Sequence, residues 1–575
     1  VKLFYFSPRF FQTDPFLLFG LALLVRLLAA WPQQQPNYMD AAYYYVNALN
    51  LVAGRGFVED FVWNYLGQPG LPPQPSHLYW MPLTSILAVL GMLIGGISYR
   101  AAQIPFILLS AVLAPLCYGV AVRLSGRPRH GWLAGLLAIF SGFYFPVWTA
   151  IDNFTPFALC GALALFTASL GIRHPPIPNL QLPTINTLTG THYHPPPFTL
   201  QLPIINYQLS IINYKPAWLL LAGICGGLAH LARADGPLLL IAVIFTYAIL
   251  LLRQPLAPSL LLNFVIRLLL PLVFGYLLVM TPWFSRNWQV LGAPLPAAGS
   301  QAIWLNNYDD LFSYNRELSP RTFFAQGLNP ILQGRWWALT TNLQTVLAVW
   351  GMIFLTPFAL LGGWQLRRQL LIQLAGWYAL ALFLAMTFIF AFPGARGGLF
   401  HSGTALLPFI YAAALVGLDQ AVDWLAARRR HWRGPVAKQV FGLGLVLLAI
   451  GLTCFIYYGR VLKNDTWNQA DALYPAIVAW ITQQNSTATV MIGNPPAYRY
   501  HGGGLSVVIP NEDLPTTLRA ARRYGVDYLI LDSNHPVPLA QLYQNPQNQP
   551  NLTLVQTFQS DSTNPIYIFK ITQPQ

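Results

Sequence analysis

Negative charge is what this 575-residue chain has least of: 18 Asp and Glu stand against 32 Lys and Arg, and charged residues together make up only 9% of it. Soluble globular domains carry about a quarter, so an ordinary soluble globule is excluded. Cysteine is equally scarce. Cys117, Cys160, Cys225 and Cys454 all lie in apolar runs with no metal-ligand spacing, which excludes a zinc cluster and a disulfide scaffold.

Apolar residues fill the gap: 55% are hydrophobic, 14% aromatic, and mean hydropathy is +0.47. Runs of about twenty apolar residues recur, each long enough to cross a bilayer as a helix. Backbone polar groups in lipid must be satisfied within the segment, so the runs imply a polytopic α-helical membrane protein. The net charge of +14 raises the question of nucleic acid. The bases sit in short loops between apolar runs, however, as the positive-inside rule requires, and no nucleic-acid-binding motif accompanies them. Membrane lipids are expected partners; nucleic acid is not.

About eleven spans are expected, near 15–31, 101–122, 131–149, 155–171, 217–232, 236–252, 266–284, 341–363, 369–391, 402–420 and 439–459. The first run lacks a small-residue cleavage site and reads as a retained helix. Segment 81–97, short and bounded by Pro82 and Gly95-Gly96, decides the topology. Taken as juxtamembrane, it puts the basic loops 123–130, 253–267, 365–369 and 427–438 in the cytoplasm; taken as a span, it puts them all outside, against the charge rule. The juxtamembrane reading also sorts the carboxylates. Asp40, Glu59, Asp60, Asp152, Asp235, Asp309, Asp310 and Glu317 fall outside, and only Asp14, Asp419 and Asp423 fall inside.

The chain divides into a membrane part, 1–460, and a tail, 461–575. The membrane part has outer loops at 32–100 and 285–340. Its insertion at 172–215 repeats "QLPTIN" as "QLPIIN" and reads as a low-complexity cytoplasmic loop. In the tail, strand-like runs at 489–493, 505–509, 527–532, 552–558 and 566–571 surround a helical 512–525, the pattern of a small extracytoplasmic α/β domain. It has no phosphate loop or nucleophile elbow, so a scaffold or lid is its expected role.

Two outer carboxylates stand out. Asp40 follows the first span in the aromatic stretch "NYMDAAYYYV", beside Tyr38 and Tyr43, and Asp152 lies between two spans in "VWTAIDNFTPFAL". Each could be no more than a helix cap. Outer-side cations accompany them: Arg26, Arg233 beside Asp235 in "ARADGP", Arg286 in "TPWFSRNW", and Arg396 with His401 in "PGARGGLFH". One such arginine can simply snorkel. Several together suit a phosphate, which guanidinium groups bind bidentately. Glu59, Asp60 and His77 complete the polar inventory of the first outer loop.

The order of these features resembles the GT-C integral-membrane glycosyltransferases, in the branch of protein O-mannosyltransferases and lipid A aminoarabinose transferases. "NYMDAAYYYVNALNLVAGRGF" matches the acidic first loop, and "PSHLYWMPLTSILAVLGMLIGG" the juxtamembrane segment after it. Asp152 matches the second acidic position, and "TPWFSRNWQVLGAPLP" a recurrent stretch; the likeness runs over roughly 10–420. It implies a polyprenyl-phosphate-linked sugar donor, a lipid, glycan or protein acceptor hydroxyl, inversion at the anomeric carbon, and a bacterial inner-membrane location with the site facing out. In that scheme Asp40 is the general base, with Asp152 assisting or holding a metal. Arg26, Arg233, Arg286, Arg396 and His401 meet the phosphate. The sequence lacks a clear acidic partner beside Asp152, which leaves the cofactor open; a divalent cation on Asp40 and Asp152 is the one candidate. A lipid-linked glycan ligase or polymerase shares this substrate class. A transporter is disfavoured by the absence of a half-to-half repeat, and a non-catalytic assembly protein ranks below both.

Overall fold

A computed structural model describes residues 13–173, 213–253, 258–305, 307–314, 316–429, 432–559 and 564–572. The protein is a helical bundle joined to a six-stranded sheet. The first eight helices are α1 (Asp14–Ala30), α2 (Met39–Val52), α3 (Leu83–Gly95), α4 (Tyr99–Ser125), α5 (Pro128–Ile139), α6 (Phe154–Leu170), α7 (Pro216–Ala232) and α8 (Pro237–Leu252). Their ends follow local chemistry. Ser98 caps α4 by accepting from the Ala101 N–H, and the helix stops at Gly126 in the left-handed region. Among the described residues, five helices are long and apolar enough to cross a membrane: Tyr99–Ser125, Pro258–Leu291, Leu370–Ile389, Ala391–Ala426 and Gly434–Asp465. The protein is a multi-pass membrane protein. At 13 residues α3 rises about 20 Å, short of the roughly 30 Å hydrocarbon core.

Two of the expected spans are not single helices. The run 131–149 breaks after Ile139: Gly142 takes φ +59°, and a 3₁₀ turn, Gly142–Val147, follows. The carbonyls left open at the break are taken by Arg26, which donates to Ala138 O and Ile139 O at 3.0 Å each and lies over the Phe145 ring. The run 341–363 turns over at 351–355, where Met352 and Ile353 both have positive φ, before Thr356–Gln365 resumes.

The segment between α2 and α3 carries three short strands, β1 (Val58–Glu59), β2 (Phe61–Val62) and β3 (Gln74–Pro75), with β1 antiparallel to β3. Residues 174–212 of the repetitive insertion lie outside the described residues, as then does nearly all of the expected cytoplasmic loop. Its two ends meet as an antiparallel pair, β4 (Ile172–Arg173) with β5 (Asn213–Tyr214). The tail contributes β6 (Val490–Ile492), β7 (Ser506–Val508), β8 (Tyr528–Leu531), β9 (Leu552–Phe558) and β10 (Ile566–Ile571). The sheet order is β2-β7-β6-β8-β10-β9, parallel from β2 to β8 and antiparallel beyond. One edge strand, β2, thus comes from the segment between α2 and α3, more than 400 residues away in sequence. Tyr65 fixes the join by donating from its hydroxyl to Val508 O at 2.6 Å.

Candidate active site

Three elements converge on one spot. Asp40 is the second residue of α2 and half-buried at its N-terminus, where the helix dipole favours a carboxylate. Asp152 is fully buried just before α6. Its Oδ1 accepts the Asn153 N–H at 2.6 Å and its Oδ2 the Tyr38 hydroxyl at 2.8 Å. His401 arrives from the far end of the sequence, its ring stacked on Phe154 at 3.7 Å. Ligand atoms of Asp40, Asp152 and His401 all lie within 4.8 Å of one another.

The protonation of His401 follows from its neighbours. Asn153 Oδ1 faces Arg233 Nη1 at 3.4 Å, and an arginine can only donate, so that atom is the amide oxygen. His401 Nδ1, 2.6 Å from the same oxygen, must then be the N–H donor. In the neutral ring this leaves the lone pair on Nε2. A fixed tautomer of this kind is how metal-ligating histidines are held.

Arg233 follows α7 in an extended conformation. Its Nε donates to Asp235 Oδ1 at 3.0 Å and to Ser402 Oγ at 2.8 Å. The turn closes because residue 236 is glycine: a Cβ there would stand 2.4 Å from the backbone N of His230. Pro237 then opens α8. A cation is thereby set beside the carboxylates with its own counter-charge behind it.

Withdrawal from water raises the Asp40 carboxyl above its usual range, and the neighbouring Asp152 pushes it the same way, with Arg233 pulling back. Burial raises Asp152 too, opposed by the Asn153 N–H, the Tyr38 hydroxyl and Arg233. Two adjoining carboxyls, one fully and one half-buried, and a neutral imidazole form a donor set that takes up either a proton or a hard-to-borderline divalent ion. The residues therefore fit a divalent cation, and among the described residues this is the one group of three or more such side chains that does.

Several expected site residues lie elsewhere. Arg26 is buried and donates both terminal nitrogens to the carbonyls that end α5. Arg286 donates to Phe57 O and Ser76 O at 3.1 Å each and stacks over Trp283, bracing the segment between α2 and α3. Tyr43, Glu59 and His77 form a separate buried network. The His77 N–H donates to the Tyr43 hydroxyl, its ring lies between Ser76 and Ser85, and Gln74 donates to Glu59. Asp60 is salt-bridged to Arg55 and Arg499. Arg396 is exposed on the segment leading to His401. Residues not anticipated in the sequence are Asn153, which ties His401 to Arg233, Ser402, and Tyr44, whose hydroxyl accepts from Asn153 Nδ2 at 3.1 Å. Tyr44 was findable: it lies four residues after Asp40, on the same helix face.

No protein-family model matches the chain, and no curated protein matches it in sequence. Solved structures do resemble it. ArnT from Cupriavidus metallidurans bound to undecaprenyl phosphate aligns over 98% of this chain and 100% of its own, at 14% identity and a TM-score of 0.53. The oligosaccharyltransferase AglB from Archaeoglobus fulgidus, in complex with an inhibitory peptide and a dolichol-phosphate, aligns over 91% of this chain and 70% of its own, at 14% identity and 0.53. The Archaeoglobus enzyme in complex with zinc and sulfate aligns over 90% and 68%, at 16% identity and 0.50. At such identities the likeness is one of architecture, and by that architecture this chain has the GT-C fold of membrane glycosyltransferases.

Proposed function

We propose that the chain is a membrane glycosyltransferase moving a sugar from a polyprenyl-phosphate donor to an acceptor hydroxyl, with inversion, at the extracytoplasmic face of a bacterial inner membrane. The convergence of Asp40, Asp152 and His401 beside Arg233 carries this reading. Asp40, raised toward neutral pH, takes the proton of the acceptor hydroxyl as its oxygen bonds to the anomeric carbon. The bond from that carbon to the phosphate oxygen breaks, and the electron pair leaves with the polyprenyl phosphate. Arg233 offsets the charge growing on the departing phosphate, and exposed Arg396 is the next cation on that side. Tyr38 and Asn153 hold Asp152 and His401 in place. A divalent cation held by Asp40, Asp152 and His401 would supply Lewis-acid stabilisation of a phosphate oxygen.

A lipid-linked glycan ligase is the second reading, since AglB aligns as well as ArnT does. The match over the whole length of ArnT, against 70% of AglB, favours simple transfer. Purified protein in nanodiscs, given a polyprenyl-phosphate sugar and a hydroxyl acceptor, should transfer the sugar. Asp40→Asn should cut turnover by about 10²–10⁴ at unchanged thermal stability. Full turnover by that variant ends the base assignment; turnover only with pyrophosphate-linked glycans selects the ligase.

A further inference from the structure

At the opposite end of the bundle a second polar cluster adjoins an apolar groove. Asp419, on the helix Leu407–Ala426, receives Arg127, Arg129 and His130 from the α4–α5 loop and the start of α5. One turn further on, Asp423 pairs with Lys438 at 2.6 Å, on the helix Gly434–Tyr457. The cluster lies eighteen residues past His401, roughly 25–30 Å along the helical path, which is about one hydrocarbon thickness from the active site.

Between these two helices runs a groove of about 450 Å³, lined by Phe358, Leu418, Phe441, Gly444 and Leu448. Leu418 adjoins Asp419, and Phe441 adjoins Gly442, where a Cβ would stand 4.0 Å from Arg129 Nη1. That Nη1 is buried and has no hydrogen-bond partner among the described residues. Charge at this end is unbalanced. Arg127, Arg129 and Lys438 exceed Asp419 and Asp423 by one, and no carboxylate occurs from 424 to 464, while Arg428, Arg429 and Arg433 add to the surplus. An apolar channel in the lipid zone, ending in surplus cations and an unused guanidinium N–H, is complementary to a lipid with an acyl chain and an anionic head group.

We infer that this is a binding site for an anionic phospholipid, its acyl chain in the groove and its phosphate at Arg129 and Lys438. The site is independent of the transfer chemistry. Phosphatidylglycerol is the probe: protein in phosphatidylcholine nanodiscs with and without it, followed by detergent extraction and mass spectrometry of retained lipid. Wild type should retain phosphatidylglycerol over phosphatidylcholine. Lys438→Gln should lower that retention about fivefold, the worth of one basic residue near an anionic surface, and Gly444→Trp should abolish it by filling the groove. Arg129→Gln alone is a poor test, because it strips buried Asp419 of a partner; the other two variants leave Asp419 and its partners whole, and the Asp423 that Lys438→Gln releases is exposed to solvent. Equal retention of both lipids by wild type, retention unchanged in both variants, or a polyprenyl lipid found instead would each overturn the assignment.

Discussion

At the scale of single residues, the same side chain types serve opposite ends, and their surroundings decide which. Glu59 and Asp60 are adjacent in sequence. Asp60 meets two guanidinium groups, which hold its carboxyl below the ordinary range against the cost of burial. Glu59 meets none directly: burial pushes its carboxyl up to about 8, with hydrogen bonds from Tyr43 and Gln74 and the more distant Arg286 pulling back. Its Oε2 is buried without a partner. The linkage consequence has a definite sign. Folded Glu59 keeps its proton to about 8, whereas an unfolded chain releases it near the reference value of 4.5. Between those limits the folded state binds more protons, so stability falls as pH rises, by at most roughly 1.4 kcal/mol per pH unit. The apparent Tm in detergent should therefore drop from pH 5 to about 8 and level off above it, and Glu59→Gln should flatten that slope. An identical slope in wild type and Glu59→Gln would show Glu59 to be ionised in the fold.

At the scale of elements, the sheet edge is where the sequence was least legible. The longer tail strands were readable from their β-branched runs, and the helix Leu514–Tyr524 from its capping Asp513. Strand β2 has two residues and no periodicity, and its partner β7 lies more than 400 residues away, so nothing local marks it. The breaks at 140–142 and 351–355 are hidden for a related reason, since hydropathy averages across them. In the active site, Asp40, Asp152, Arg233 and His401 were legible as polar groups at the ends of apolar runs. Asn153 and Ser402 were not, because their role is to bond side chains brought in by other elements, Asn153 to His401 and Ser402 to Asp235. The consequence of β2 is mechanical. Asp60 O accepts the Ser506 N–H, and Tyr45 on α2 packs edge-on against Tyr500 at 5.4 Å, so the tail is fastened to the helix that bears Asp40. Asp60→Asn removes the charge that holds Arg55 and Arg499, and should cost about 1–3 kcal/mol locally. Amide exchange should then quicken at Phe61–Val62 and at Ser506–Val508 together. Faster exchange in the loop alone would mean that the two segments open independently.

At the scale of the whole molecule, one helix relates the two polar ends. His401 precedes the helix Leu407–Ala426 and Asp419 lies toward its far end, on a path about as long as the bilayer's apolar core is thick. The cations around Asp419 fall in short loops, the arrangement that marks the cytoplasmic side. In the proposed orientation the carboxylate site and the strand-rich tail lie outside, where a lipid-borne sugar would be met. Orientation can be read directly with cysteine probes in a Cys454→Ala background, which removes the one exposed native thiol among the described residues. Arg368→Cys, on the exposed basic loop, should react with an impermeant maleimide only after lysis, and Ser533→Cys, at the exposed end of β8, should react in intact cells. The reverse pattern would turn the active site toward the cytoplasm, where an acceptor on the outer surface could not reach Asp40. Labelling of both from one side would mean that an even number of crossings separates them. That outcome would leave the juxtamembrane reading of α3 untouched, because a crossing at 81–97 moves both probes to the other side together; the reverse pattern is the one that reading would not survive.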